Sequence, residues 1–266
     1  MSIDVIKNHE THICTVFLNR PDKRNAISKD MFDTLYETFT ELNNDSEIYV
    51  VVIKGSEYNG KKFFSAGIDF VELAMTNQSS SAFDIGNHAK RLQDSFTAVE
   101  RCNKPVIAVL EGFCLGAGLE LALACDLRLA TEDCKIGFPE TELAIIPDLG
   151  GTTRAIRVVG TGKAKEMIML ADQYSGKQAF SFNLVNFVCS NEELDTKLTE
   201  ITSKLLKRGP LALQKAKQVV DKVYSMDINS ALEVEHLAQL ALLPTKDVQE
   251  GFMARMEKRE PKFQNK

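Results

Sequence analysis

Apolar positions along the first third of the chain form extended runs and one helical period, and polar turns separate them. Residues 3–18 read as two strands joined near His9-Glu10-Thr11. The second strand has no clean alternation. Ile13, Thr15 and Phe17 on one face, and Cys14, Val16 and Leu18 on the other, are all apolar or β-favouring. Leu18-Asn19-Arg20-Pro21 ends it, and a polar loop runs to Ala26. Ser28 stands where it can cap a helix with apolar positions Met31, Phe32, Leu35, Phe39 and Leu42. A short buried strand at 50–53 closes at Gly55, and 56–62 is a polar loop. Phe63-Phe64-Ser65-Ala66 reads as a strand end that breaks at Gly67.

The Ser-rich stretch 76–82 reads as a mobile loop. A helix follows over 83–102 through Ile85, Ala89, Leu92, Phe96 and Val99. Residues 105–110 form a strong buried strand, and the turn Gly116-Ala117-Gly118 leads into an apolar helix at 119–125. Strands are expected at 127–130 and 136–138. After Gly151 the pattern is almost wholly helical: 152–159, 163–170 and 176–181, a last strand at 184–188, then helices at 192–207, 210–224, 229–242 and 246–258. Alternating strands and helices with a helical tail predict an α/β fold over residues 1–200 and a helical region over 201–266.

Composition narrows the functional classes. Net charge is −5 with acids and bases interspersed, and no basic stripe argues for nucleic acid. The six cysteines (Cys14, Cys102, Cys114, Cys125, Cys134, Cys189) lack metal-ligand spacing and form no disulfide framework, which points to a reducing, cytoplasmic setting. The four histidines, His9, His12, His88 and His236, are scattered. No CxxC, HExxH or GxSxG motif occurs, so no metal site and no serine-hydrolase site is expected. No apolar run is long enough for a membrane span, and the strand pattern beginning at Ile3 leaves no room for a targeting peptide.

Candidate chemistry collects between residues 112 and 151. Glu120, Glu140 and Asp148 stand in apolar surroundings, where lone carboxylates are costly to bury. Beside Glu120, the Gly116-Ala117-Gly118 turn places free backbone N–H groups at a helix start, the layout of a site that stabilises an oxyanion. Blander readings stand beside these. Glu140 after Pro139 also fits a loop carboxylate at a helix start, and Asp148 before Leu-Gly-Gly-Thr fits a helix N-cap. Glu142 reads as a surface residue, and Asp69 and Asp126 as structural ones.

At these residues the chain resembles the crotonase superfamily, the enoyl-CoA hydratase/isomerase family. Leu18-Asn19-Arg20-Pro21 with Asn25-Ala26, Phe64-Ser65-Ala66-Gly67-Ile68-Asp69 and Lys104-Pro105-Val106-Ile107-Ala108 through Gly116-Ala117-Gly118-Leu119-Glu120 all resemble family signatures. So do Phe138-Pro139-Glu140, Gly150-Gly151-Thr152 and Glu257-Lys258-Arg259. Each motif is unspecific alone; the six in this order are specific.

The resemblance implies a spiral of ββα units, a C-terminal helical region used in trimerisation, and a homotrimer or dimer of trimers. It implies an acyl-CoA thioester substrate, with coenzyme A as part of the substrate and no separate cofactor. Matched residue by residue, the backbone N–H groups of Ile68 and Ala117 would form an oxyanion hole. Lys23, Arg24, Ala26, Ala66 and Gly67 would lie along the CoA ester, and Lys258 would approach the CoA of a neighbouring subunit. The chain departs from the pattern at Phe70-Val71-Glu72, where hydratases often carry a lysine.

Two function classes follow. One is an acyl-CoA enzyme; the other is a non-catalytic protein of this fold that binds or assembles, for example on RNA. Retained acids at 120 and 140, and the acidic net charge, favour the enzyme. The Glu120–Glu140 pair resembles 2-enoyl-CoA hydratases, which add water across C2=C3. Asp148 resembles the isomerase branches, in which it would act with Glu140.

Overall fold

The computed structural model describes residues 2–70, 72 and 82–266, with backbone alone for 82–88. Its larger sheet has six strands in the order β1 (Ile3–Asn8), β2 (Ile13–Leu18), β3 (Val50–Gly55), β6 (Val106–Leu110), β8 (Leu127–Thr131) and β11 (Phe187–Cys189). Only β1 pairs antiparallel; the rest of the sheet is parallel. Parallel sheets are covered on both faces, and their strands are apolar on both sides. In β3, Val51 and Ile53 enter the main core, while Val50 and Val52 enter a second cluster with Ile107, Val109 and Leu129.

Helix α1 (Lys29–Leu42) buries all five apolar positions that its period predicts. It packs against α2 (Ala82–Glu100), whose Phe96 ring centroid lies 5.1 Å from that of Phe32. Ser28 holds the N-cap position without a side-chain capping bond. The expected loop at 56–62 contains a small hairpin, β4 (Glu57–Tyr58) with β5 (Lys61–Lys62). The strand end expected at 63–66 is one parallel bridge from Ser65 to Cys114. The Ser-rich stretch lies outside the described residues, apart from Ala82.

A second, smaller sheet positions the site. β7 (Phe113–Leu115) and β9 (Lys135–Gly137) pair in parallel, β10 (Tyr174–Ser175) adds an antiparallel edge to β9, and Ser65 bridges to β7 on the other side. The chain therefore repeats one step three times. A strand of the large sheet is followed by an extended segment on the small one, then by a helix: β3, Ser65, α2; β6, β7, α3 (Ala117–Ala124); β8, β9, α4 (Gly151–Leu170). Because the three small-sheet segments run parallel, the loops that leave them emerge at one end, side by side. Those loops begin at Ala66, Gly116 and Phe138.

Two helices expected at 152–159 and 163–170 are the two arms of α4, which break at Gly160 (φ 75°, ψ 165°). Helix α5 (Gly176–Ser181) opens with a capping box at Ser175 and Gln178. Helix α6 (Leu194–Leu206) spans residue 200 and packs on β3 and β8 through Leu194 and Ile201. The tail continues as α7 (Pro210–Val223), α8 (Ile228–Leu242) and α9 (Lys246–Glu257). No helix among the described residues is long and apolar enough to cross a membrane.

Candidate active site

The three aligned loops open onto a cavity of about 490 Å³. Gly67, Ile68, Gly116 and Ala117 line it together with Glu120, Glu140 and Asp148. Phe70, Leu92, Ile145 and Ile146 supply an apolar wall.

The loop around Gly67 is held by its neighbours. Ser65 Oγ donates to the Asn25 carbonyl at 2.8 Å and accepts the Gly67 N–H at 3.1 Å, while Ile27 N–H donates to the Gly67 carbonyl at 2.8 Å. Gly67 has φ 106°, which favours glycine, and a Cβ there would lie 3.2 Å from the Leu115 carbonyl oxygen and 3.8 Å from the Ala117 nitrogen. Gly116 has φ 53°, and a Cβ on it would lie 3.1 Å from Glu140 Oε1. Ala117 is the first residue of α3, so no carbonyl within the helix can accept its N–H. Neither Ile68 N–H nor Ala117 N–H has a hydrogen-bond partner among the described residues.

Glu120 lies one turn into α3 and is 2% exposed. Its Oε1 accepts two backbone donors, Leu149 N–H and Gly151 N–H, each at 2.8 Å. Burial pushes its carboxyl up to about 8; the nearby acids Glu140 and Asp148 push the same way, and the two N–H donors oppose. Glu140 opens a short 3₁₀ turn, is buried, and has an Oε2 with no hydrogen-bond partner among the described residues. Burial, with Asp148 adding, raises it to about 7. Asp148 stands at the exposed rim, and its carboxyl is raised by partial burial. Gly150, not Asp148, caps α4, and no side chain caps that helix. Two buried carboxyl groups that change protonation near neutral pH can give and take protons at a bound substrate.

The other sequence-predicted residues are less central. Lys23 and Arg24 are exposed and lie outside the cavity lining. Their loop is tied to the site, because Ala66 N–H donates to the Arg24 carbonyl at 3.0 Å and Arg20 Nη1 donates to the Ala26 carbonyl at 2.9 Å. Ala66 and Gly67 do line the cavity. Lys258 is exposed at the C-terminal end of α9 and is not brought to the cavity. Glu142 is exposed, Asp69 pairs with Arg20 at 2.9 Å, and Asp126 pairs with Lys217 at 2.8 Å.

Sequence reasoning missed the apolar wall and the support behind Glu120. The wall comes from residues 144–146, which have no periodic signal, and from Phe70. The support is Arg154, buried and paired with Glu100 at 2.8 Å. Its one signal was a polar stripe, Gln93, Thr97 and Glu100, flanking the apolar face of α2.

Fold and site together define two loops with unpaired backbone N–H groups sharing one mainly apolar cavity with two buried acids, a layout suited to carbonyl chemistry with proton transfer. The family model for enoyl-CoA hydratase/isomerase matches residues 8–266, and the chain belongs to that family. It is 35% identical over 263 residues to a crotonyl-CoA hydratase of Syntrophomonas wolfei, covering 99% of this chain and 98% of that one. It is 33% identical over 266 residues to a peroxisomal Delta(3,5)-Delta(2,4)-dienoyl-CoA isomerase of Arabidopsis thaliana, covering 97% and 94%. The crystal structure of an enoyl-CoA hydratase from Bacillus anthracis superposes with a TM-score of 0.92 at 34% identity over the whole of both chains. The fold is thus the crotonase-like α/β fold expected from the sequence.

Proposed function

We propose that the protein hydrates 2-enoyl-CoA thioesters to 3-hydroxyacyl-CoA. The observation that carries this reading is the shared cavity of Glu120, Glu140, Ile68 and Ala117. The thioester oxygen would accept the N–H groups of Ile68 and Ala117, which stabilise the enolate that forms when C3 is attacked. Water held between Glu120 and Glu140 would add across C2=C3. One carboxylate takes a proton from the water as its oxygen bonds to C3, and a carboxylic acid delivers a proton to C2. Lys23, Arg24, Ala26, Ala66 and Gly67 would lie along the CoA ester, and coenzyme A enters as part of the substrate, with no other cofactor.

Lys258 would reach a neighbouring subunit's CoA in a homotrimer or dimer of trimers. Apolar side chains left exposed on α8 and α9 support that assembly, among them Leu232, Leu237, Leu240 and Phe252. A cytoplasmic, reducing setting belongs to the same reading, supported by six cysteines that are all free and buried.

A second reading is dienoyl-CoA or enoyl-CoA double-bond isomerisation by Asp148 with Glu140. The place of Asp148 on the cavity rim and the similarity to a dienoyl-CoA isomerase favour it. Incubating the pure protein with crotonyl-CoA and, separately, with a 3,5-dienoyl-CoA, and identifying the products, decides between them. Dominant turnover of the diene would overturn the hydratase reading.

A further inference from the structure

The acid–base chemistry proposed above makes no use of Arg154, yet its guanidinium is buried against the turn that holds Glu120. Arg154 projects from the first turn of α4, is 7% exposed, and lies outside the cavity lining. Its Nη1 donates to the Leu149 carbonyl at 3.1 Å. Its Nη2 donates to Glu100 Oε2 at 2.8 Å and to Thr97 Oγ1 at 3.4 Å. Gly150 makes this approach possible, since a Cβ there would lie 1.9 Å from Nη1.

Leu149 is consequently held at both ends. Its carbonyl rests on Arg154, and its N–H, with that of Gly151, rests on Glu120 Oε1. A third tether comes from Gln93, whose Nε2 donates to the Asp148 carbonyl at 2.5 Å. Gln93, Thr97 and Glu100 are spaced four and three residues apart and share one face of α2. One helix face thus grips the 148–151 turn from behind while the turn grips Glu120 in front.

We propose that Arg154, braced by Glu100, is a positioning residue for Glu120: it fixes the turn whose two backbone N–H groups aim the Glu120 carboxyl into the cavity. This rests on the reading of Glu120 as an acid–base group. A planar guanidinium makes two directed bonds at once, to the Glu100 carboxylate and to the Leu149 carbonyl, and an ammonium does not reproduce that fork. The grip has work to do electrostatically. Glu140 and Asp148 line the same cavity as Glu120, and their charges favour its withdrawal or its protonation. Two N–H donors on Oε1 counter this by favouring the ionised form.

Arg154→Met and Arg154→Lys in the full-length protein test the proposal by two readouts. On the enoyl-CoA that the wild type hydrates, kcat should fall about 10- to 100-fold in both, because a misplaced reacting group loses rate steeply. KM should change little, because Arg154 is not in the cavity wall. The second readout is a carboxyl ¹³C NMR titration, with the Glu120 signal assigned from Glu120→Gln. Its midpoint should rise by about one pH unit in both variants as the N–H grip loosens.

The lysine variant keeps the positive charge and leaves Glu140 and Asp148 in place. If it titrates like the wild type, charge alone mattered and the positioning role is overturned. An unchanged midpoint in both variants overturns it as well, whatever happens to activity. Should the wild type hydrate no enoyl-CoA, the hydratase reading falls, and the titration still decides the role of Arg154. Should Arg154→Met fail to fold, the lysine variant decides.

Discussion

Glu120 and Gly151 touch: the carboxyl Oε1 accepts the Gly151 N–H at 2.8 Å, and a Cβ on Gly151 would lie 2.7 Å from that same oxygen. The catalytic candidate is packed against the first residue of α4, so a methyl group at 151 cannot enter without moving it. Gly151→Ala should destabilise the protein by about 1–3 kcal/mol, the usual cost of overpacking a filled site. It should also reduce turnover about tenfold or more by displacing the acid. Denaturant unfolding together with crotonyl-CoA kinetics checks both; a fully active, equally stable variant would mean that this contact does not position Glu120.

The two buried acids should carry a stability signature as well as the proposed catalytic one. Glu120→Gln and Glu140→Gln should each lower kcat for hydration about 100-fold or more, with little change in CoA-ester affinity. Both folded carboxyls are raised, to about 8 and about 7. The folded state therefore holds protons that the unfolded chain has released. The contribution to stability is complete below the unfolded carboxyl range, at about pH 4. It is lost as pH rises through the folded values. Each Gln variant should therefore lose less stability than the wild type between pH 5 and pH 8, by about 1–3 kcal/mol for Glu120→Gln. Parallel unfolding curves across that range would show that the acids are not held protonated.

Ala117→Pro removes one proposed oxyanion donor. Ala117 is the first residue of α3, the position where a helix tolerates proline best. The variant should fold, as circular dichroism will report, and should lose hydration activity by at least 100-fold, the effect of losing one such donor. A folded variant with wild-type activity would exclude this N–H.

Asp148→Asn separates the two reactions. Asp148 makes no capping bond to α4, so the substitution should leave the fold intact. Hydration of crotonyl-CoA should stay within about tenfold of the wild type. Any double-bond shifting should fall much further, because an amide cannot take the proton. Product analysis showing diene isomerisation as the main wild-type activity, and its collapse in Asp148→Asn, would make the isomerase the answer.

The helical tail should place the protein in a trimer or a dimer of trimers. Ile228, Leu232, Leu237 and Phe252 are all more than half exposed in the single chain, and a subunit interface would cover them. Light scattering at micromolar concentration should give about three or six times the 29.6 kDa chain mass. A lone monomer would contradict this.

Local pattern alone determined most of the elements. The helical period at Met31, Phe32, Leu35, Phe39 and Leu42 gave α1, and the apolar runs before Gly55 and Glu111 gave β3 and β6. These signals are legible because they arise from residues a few positions apart. Glu120, Glu140 and Gly116-Ala117 were visible as candidates because a carboxylate or a glycine turn inside an apolar run is costly without a purpose. Ile68 and Ala117 as partners came from family resemblance; the sequence held no sign of their distance.

Tertiary structure decided what meets. Parallel pairing of Ser65, β7 and β9 brings three loops, some 20–50 residues apart in the chain, to one end of a small sheet. Only there do the two N–H groups and the acids share a cavity. Residues 144–146 became its wall, although nothing periodic marks them. Burial of Arg154 against Glu100 was equally hidden, since both are ordinary charged residues on amphipathic helices until α2 and α4 pack. Neighbouring residues encode periodicity and so announce helices and strands. A site made by the crossing of distant segments depends on their packing and appears only once the chain has folded.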